Sequence, residues 1–181
     1  MANPNDPTRT DGILFVCHGN ICRSPMAEFV MKDLLRKAGI DVPVESCATS
    51  REELGNDIYP PAKRVMEAHG IPFETRRARQ MVSDDYYRFS IIAVMDSENL
   101  RNIRPFVHGD PEGKVRRLLS FCGTEENVSD PWYTGDFETC YRDVLRGCEG
   151  ILEHIRSRRS RMRSRRAMCV LSYMRGYSRT Q

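Results

Sequence analysis

No apolar run in this chain approaches the ~20 consecutive residues a helix needs to cross a bilayer. The sequence therefore predicts no membrane-spanning helix. Residues 1–11 lack the hydrophobic segment of a secretory leader and are polar and turn-rich, so a short disordered lead is expected there. The seven cysteines, Cys17, Cys22, Cys47, Cys122, Cys140, Cys148 and Cys169, are odd in number and irregular in spacing, unlike a secreted disulfide framework. A reducing, cytoplasmic setting is expected. No second cysteine or histidine pair is spaced to complete a zinc site with Cys17 and Cys22, so no metal and no cofactor is expected. Acid and lysine are both missing from residues 156–181, which hold nine arginines; the formal net charge of +3 becomes −6 over residues 1–155. An arginine run by itself gives no ground for a nucleic-acid or membrane partner.

What is present suits one soluble domain: 181 residues, 40% hydrophobic and 29% charged. Apolar runs at 12–17, 42–48, 90–95 and 114–119 read as strands, the first and third fully buried. Between them lie helical patterns at 24–38, 61–69 and 96–104. Ser24 and Pro25 suit a helix start, and Gly39 suits its end. A last helix is expected over about 134–156, with Phe137, Cys140, Tyr141, Val144, Leu145, Cys148, Ile151, Leu152 and Ile155 as its apolar face. Gly147 and Gly150 each weaken that helix by about 1 kcal/mol relative to alanine, which packing must offset. Cys47, Cys122, Cys140 and Cys148 read as small core residues.

Strands alternating with helices predict an α/β fold: a single three-layer domain with a four-stranded parallel sheet covered by helices on both faces. Such sheets bind ligands beyond the carboxyl ends of their strands. Cys17 stands at the end of the first strand, followed by His18-Gly19-Asn20-Ile21-Cys22 and then Arg23. Gly and Asn tolerate the left-handed backbone that turns successive N–H groups inward around an anion. The helix start and Arg23 favour a thiolate at Cys17, the Ser24 hydroxyl can donate to its sulfur, and a guanidinium grips two oxygens of a phosphate. This is a phosphate-binding loop after the first strand, made of His18 to Arg23 with a nucleophile beneath it.

The segment VCHGNICRSPMAE resembles the active-site signature of the low-molecular-weight protein tyrosine phosphatases. SCATS (Ser46–Ser50), ARQ (Ala78–Gln80), MDSEN (Met95–Asn99) and DPWYTGDFE (Asp130–Glu138) extend the likeness over residues 11–157. The resemblance implies Cys17 as nucleophile, Arg23 as phosphate clamp and Asp130 as general acid and then base. It implies that Ser46 pins Asn20, and that Glu28 meets Arg76, where a histidine is more usual. Trp132 and Tyr133 offer flat apolar surface, and with Glu52 they border the substrate cleft. Many relatives have an aromatic wall near Glu52; here Arg51-Glu52-Glu53 is charged. The implied substrate is a phosphotyrosine protein, with a tyrosine kinase as a partner of some relatives; Cys22 reads either as a thiol that traps an oxidised Cys17 or as a simple packing residue.

Three other readings are open. Thioredoxin-coupled arsenate reductases share the fold but need further redox cysteines, and residues 79–97 contain none. Protein arginine phosphatases carry a threonine where this chain has Ile21. A silent phospho-ligand binding module would be expected to lack Cys17 or Asp130. The domain boundaries expected are 1–11 for the lead, 12–157 for the catalytic domain and 158–181 for the basic tail.

Overall fold

Strands β1 (Gly12–Cys17), β2 (Val44–Ala48), β3 (Phe89–Val94) and β4 (Val115–Arg117) form one parallel sheet in the order β2-β1-β3-β4. The computed structural model describes residues 12–177, with side chains through residue 161; the expected disordered lead lies outside the described residues. β1 is interior to the sheet and buried at every position, which is why its sequence is a continuous apolar run rather than an alternation. Ile13, Phe15 and Cys17 face one core, and Leu14 and Val16 face the other.

Helices α1 (Arg23–Lys37), α2 (Pro60–Ala68) and α7 (Phe137–Tyr177) cover the first face. The second is covered by α3 (Ser83–Arg88), α4 (Ser97–Asn102) and α5 (Arg104–Val107), through Tyr86, Ile103 and Val107. A four-residue helix, α6 (Pro131–Thr134), precedes α7. The three-layer α/β fold is therefore as expected.

Several local expectations need correction. Ser24 does not cap α1: Cys22 holds the cap position without a side-chain bond, and Ser24 turns inward to the loop. The fourth strand shrinks to three residues, because Leu118–Cys122 closes into a 3₁₀ turn. The segment expected as one short helix over 96–104 is two, broken at Ile103. The sequence reading missed α3, whose SDDYYR shows no apolar period. Gly135, at φ +70, separates α6 from α7. Past residue 156 the last helix continues to Tyr177, through the expected tail boundary. Cys122 is exposed rather than core, whereas Cys47, Cys140 and Cys148 are buried.

Gly147 and Gly150 are explained by close approach. A Cβ at Gly147 would lie 2.4 Å from Leu118 Cγ, and one at Gly150 would lie 2.7 Å from the Phe121 carbonyl. The helix gives up propensity so that the 3₁₀ turn can press against it. Among the described residues no helix is long and apolar enough to cross a membrane.

The chain leaves β1 through α1 toward β2 on one side, then returns to place β3 on the other. The loops after β1 and β3 open at this switch point, where an α/β sheet offers its crevice. Cys17 ends β1, and Asp96 lies just past the end of β3.

Candidate active site

Cys17, His18, Gly19, Asn20, Ile21, Cys22, Arg23, Glu52, Asp130, Trp132 and Tyr133 line a single cleft at this switch point. Ser24 and Ser46 stand behind it, both buried. The cleft is thus assembled from the β1–α1 loop, the segment after β2, the start of α4 and α6.

The centre of the loop is Asn20, fully buried with a left-handed backbone at φ +59. Its N–H donates to Cys17 Sγ at 3.2 Å. Its side-chain nitrogen donates to Ser24 Oγ and Ser46 Oγ, both at 2.9 Å. Its Oδ1 accepts from Arg76 Nη2 at 2.7 Å and from the Arg79 N–H at 3.2 Å. Its carbonyl accepts from Arg76 Nη1 at 3.0 Å. A non-glycine residue holds the left-handed conformation here because these bonds over-determine it.

The implied contacts of Ser46 and Glu28 are present. Ser46 Oγ donates to Glu28 Oε2 at 2.6 Å. Arg76 Nε lies 3.7 Å from the same oxygen, and Lys32 Nζ lies 2.5 Å from Glu28 Oε1. Burial draws the Arg76 guanidinium below its ordinary range, opposed by the Glu28 carboxylate.

Ser24 Oγ is 3.0 Å from Cys17 Sγ. Because this hydroxyl already accepts from Asn20, its own proton points to the sulfur or, at a longer 3.4 Å, to the Cys47 carbonyl. The Cys17 sulfur therefore accepts from the Asn20 N–H and lies within hydrogen-bond reach of the Ser24 hydroxyl, at the start of a 15-residue helix. At the neighbouring Cys22, burial first, then the Cys17 charge, pushes the thiol up to about 12.

Arg23 is only 4% exposed and is held from two sides. Its Nη1 donates to Asp96 Oδ2 at 2.5 Å, and its Nη2 lies 2.6 Å from Asp130 Oδ2. Burial works against its charge, but Cys17, Asp130 and Asp96 together outweigh that and raise it above the ordinary range. Asp130 uses its other oxygen to accept from the Trp132 N–H at 3.0 Å, capping α6. One carboxylate thus shapes its own loop and meets the clamp.

Trp132 and Tyr133 are 59% and 85% exposed at the mouth. Trp132 rests against Tyr59, with ring centroids 5.6 Å apart. His18 Nε2 lies 2.9 Å from Glu52 Oε2 on the opposite rim. Ile21 packs with Cys22, Ala78 and Phe137, so its side chain serves the loop's support.

Asp96, Asn99, Glu53 and Glu98 were not singled out from the sequence as site residues. Asp96 precedes a short helix, a capping signal, and it does accept from the Asn99 N–H at 2.6 Å. Its grip on Arg23 depends on β1 and β3 being neighbours, which the local pattern does not encode. Glu53, Glu98 and Asn99 also line the cleft.

The pattern that describes the low molecular weight phosphotyrosine protein phosphatases matches residues 12–161. The chain is 35% identical over 147 residues to the low molecular weight protein-tyrosine-phosphatase YfkJ of Bacillus subtilis, covering 79% of this chain and 94% of that protein. It is 37% identical over 145 residues to PtpA of Staphylococcus aureus, covering 79% and 92%. The crystal structure of YfkJ superposes with a TM-score of 0.78 over 82% of this chain and 96% of that one, at 33% identity. The structure of DARP, a Drosophila arginine phosphatase, gives 0.73 over 80% and 97%, at 29% identity.

Proposed function

The chain belongs to the low molecular weight protein tyrosine phosphatase family and has that family's phosphatase activity; within it we propose that Cys17, Arg23 and Asp130 carry the reaction on phosphotyrosine in proteins. The observation that carries this assignment is the shared cleft: a sulfur that accepts from the Asn20 N–H and meets the Ser24 hydroxyl, beside a guanidinium ion-paired to the proposed acid.

In the first step the Cys17 thiolate attacks phosphorus, the P–O bond to the tyrosine breaks, and Asp130 gives its proton to the leaving oxygen. The incoming phosphate takes over the donors of Arg23 that now hold Asp130. N–H groups of residues 18–23 and the guanidinium surround the phosphate oxygens as negative charge develops. In the second step water attacks phosphorus, its proton goes to Asp130, and the P–S bond breaks to return the thiolate and release inorganic phosphate.

Ser24 and Ser46 support the loop through Asn20 and the sulfur. Trp132 and Tyr133 form the wall for the aromatic ring, with Glu52 opposite. DARP acts on phosphoarginine by its name; here Ile21 brings no hydroxyl to the loop, which favours the tyrosine substrate. A tyrosine kinase is the partner class that would supply this substrate.

The catalytic unit is assigned to residues 12–157, supported by the family match over 12–161, with 1–11 as lead and 158–181 as basic tail. A reducing, cytoplasmic setting is part of this reading, supported by six described cysteines that are all free thiols. The test is hydrolysis of phosphotyrosine, phosphoserine and phosphoarginine substrates by the wild type, Cys17→Ser and Asp130→Ala. Release from phosphotyrosine alone, abolished by the first variant and strongly slowed by the second, is the expected result. No release from any substrate by a folded, reduced protein would overturn it.

A further inference from the structure

Asn99 is 1% exposed, and its Oδ1 has no hydrogen-bond partner among the described residues. Buried carbonyl oxygens in native proteins are paired in the great majority of cases, because an unpaired one is costly. Thr49 Oγ1 is also buried without a partner, but only Asn99 of the two lines the catalytic cleft. The residue is firmly placed. Its backbone N–H donates to Asp96 Oδ1, while Asp96 Oδ2 holds Arg23 Nη1. Asp96 therefore ties Asn99 and the phosphate clamp into one unit, and the other nitrogen of that clamp meets Asp130.

We propose that Asn99 is a positioning residue for the attacking water of the second step. This rests on the reading of Asp130 as the base in that step. The side-chain oxygen gains its donor once phosphate opens the Arg23–Asp130 pair and water enters beside the phosphocysteine. That water gives one hydrogen to Asp130 and the other to Asn99 Oδ1. Its lone pair is then aimed at phosphorus; the O–P bond forms, the P–S bond breaks, and the proton ends on Asp130. A water with two acceptors fixed at defined places reacts faster than a free one. In the first step no water is needed, so Asn99 acts on breakdown of the phosphoenzyme and not on its formation.

The variants are Asn99→Leu, which keeps the branch at Cγ, and the smaller Asn99→Ala; both lack the oxygen. In stopped flow with para-nitrophenyl phosphate, the expected result is a normal first burst followed by breakdown about tenfold slower, the rate equivalent of one hydrogen bond. Added methanol, competing with water for the phosphoenzyme, should take a larger share of the phosphate in the variants than in the wild type. A cooperative thermal transition checks that each variant is folded. Unchanged breakdown in a folded variant would overturn the proposal, as would burst and breakdown falling together. Absence of any burst or turnover in the wild type would instead defeat the phosphocysteine reading beneath it.

Discussion

Arg76 forks onto Asn20, donating to its carbonyl at 3.0 Å and to its Oδ1 at 2.7 Å. The same Asn20 points its N–H at the catalytic sulfur. The guanidinium thus acts on Cys17 through a left-handed backbone that nothing else in the loop would hold as firmly. Replacing Arg76 by methionine takes the guanidinium donor from the buried Asn20 carbonyl, at about 1–3 kcal/mol before relaxation, and leaves Oδ1 with the Arg79 N–H. The expected outcome is a fall in kcat/KM of at least about tenfold, with slower iodoacetate capture of Cys17. Arg76→Lys should recover only part, because an ammonium lacks the planar fork. Equal alkylation rates in wild type and Arg76→Met would refute the coupling.

Asp96 joins two jobs, capping α4 through Asn99 and anchoring Arg23. Asp96→Ala should cost about 1 kcal/mol from the lost cap, read as a lower urea midpoint. It should also raise KM for a phosphotyrosine peptide, because Arg23 loses one of its two anchors. A stability loss with unchanged KM would mean Asp130 alone holds the guanidinium.

Buried thiols should make the fold sensitive to alkali. Burial pushes Cys22 up to about 12, and raises Cys47, Cys140 and Cys148 as well. In the unfolded chain these thiols release protons near pH 9, while the native ones keep theirs. Above that pH the unfolded state binds fewer protons, so stability falls as pH rises. The contribution is fully present below about pH 9 and is lost progressively toward pH 12. Urea midpoints across pH 7–11 check this, and a midpoint that rose with alkali would contradict it. At neutral pH a thiol reagent should label Cys17 and the exposed Cys122 while sparing Cys22, as peptide mass mapping would show.

Gly147→Ala and Gly150→Ala both improve helix propensity by about 1 kcal/mol. Packing reverses the sign at Gly150, where the new Cβ would meet the Phe121 backbone at 2.7 Å. A net loss of about 1–3 kcal/mol is expected there. Gly147→Ala should lose stability as well, because its Cβ would meet the Cγ of the fully buried Leu118 at 2.4 Å. Thermal unfolding of both variants checks this; a stabilised Gly150→Ala would show that the 3₁₀ turn yields.

The reactive loop was readable because its chemistry is local. Cys17, Asn20, Arg23 and Ser24 lie within one strand-to-helix junction, and glycine, asparagine and helix start announce it without knowledge of the rest. Asp130 came from resemblance, since an Asp-Pro turn by itself has no catalytic meaning; Asp110-Pro111 is a second such pair. α3 was missed because six polar and aromatic residues have no apolar period, and only packing of Tyr86 into the second core makes them a helix. The helix start was misread at Ser24, where the hydroxyl found a sulfur and an asparagine inside the loop rather than a backbone N–H.

The sequence by itself determined the alternation of strands and helices, the buried character of β1 and the thiol–arginine spacing, all properties of short windows. Tertiary structure alone decided that Asp96 and Asp130 both meet Arg23, that Arg76 reaches Asn20, and that Asn99 lines the cleft with its Oδ1 buried and unpaired. The contacts of Arg23 and Asn20 join residues 56 to 107 positions apart; Asp96 meets Arg23 because β3 lies beside β1, and Arg76 reaches Asn20 from the segment whose Gln80 bridges to Ala48 of β2. Sheet order is set by how whole layers bury their apolar faces, which no single window of the chain contains.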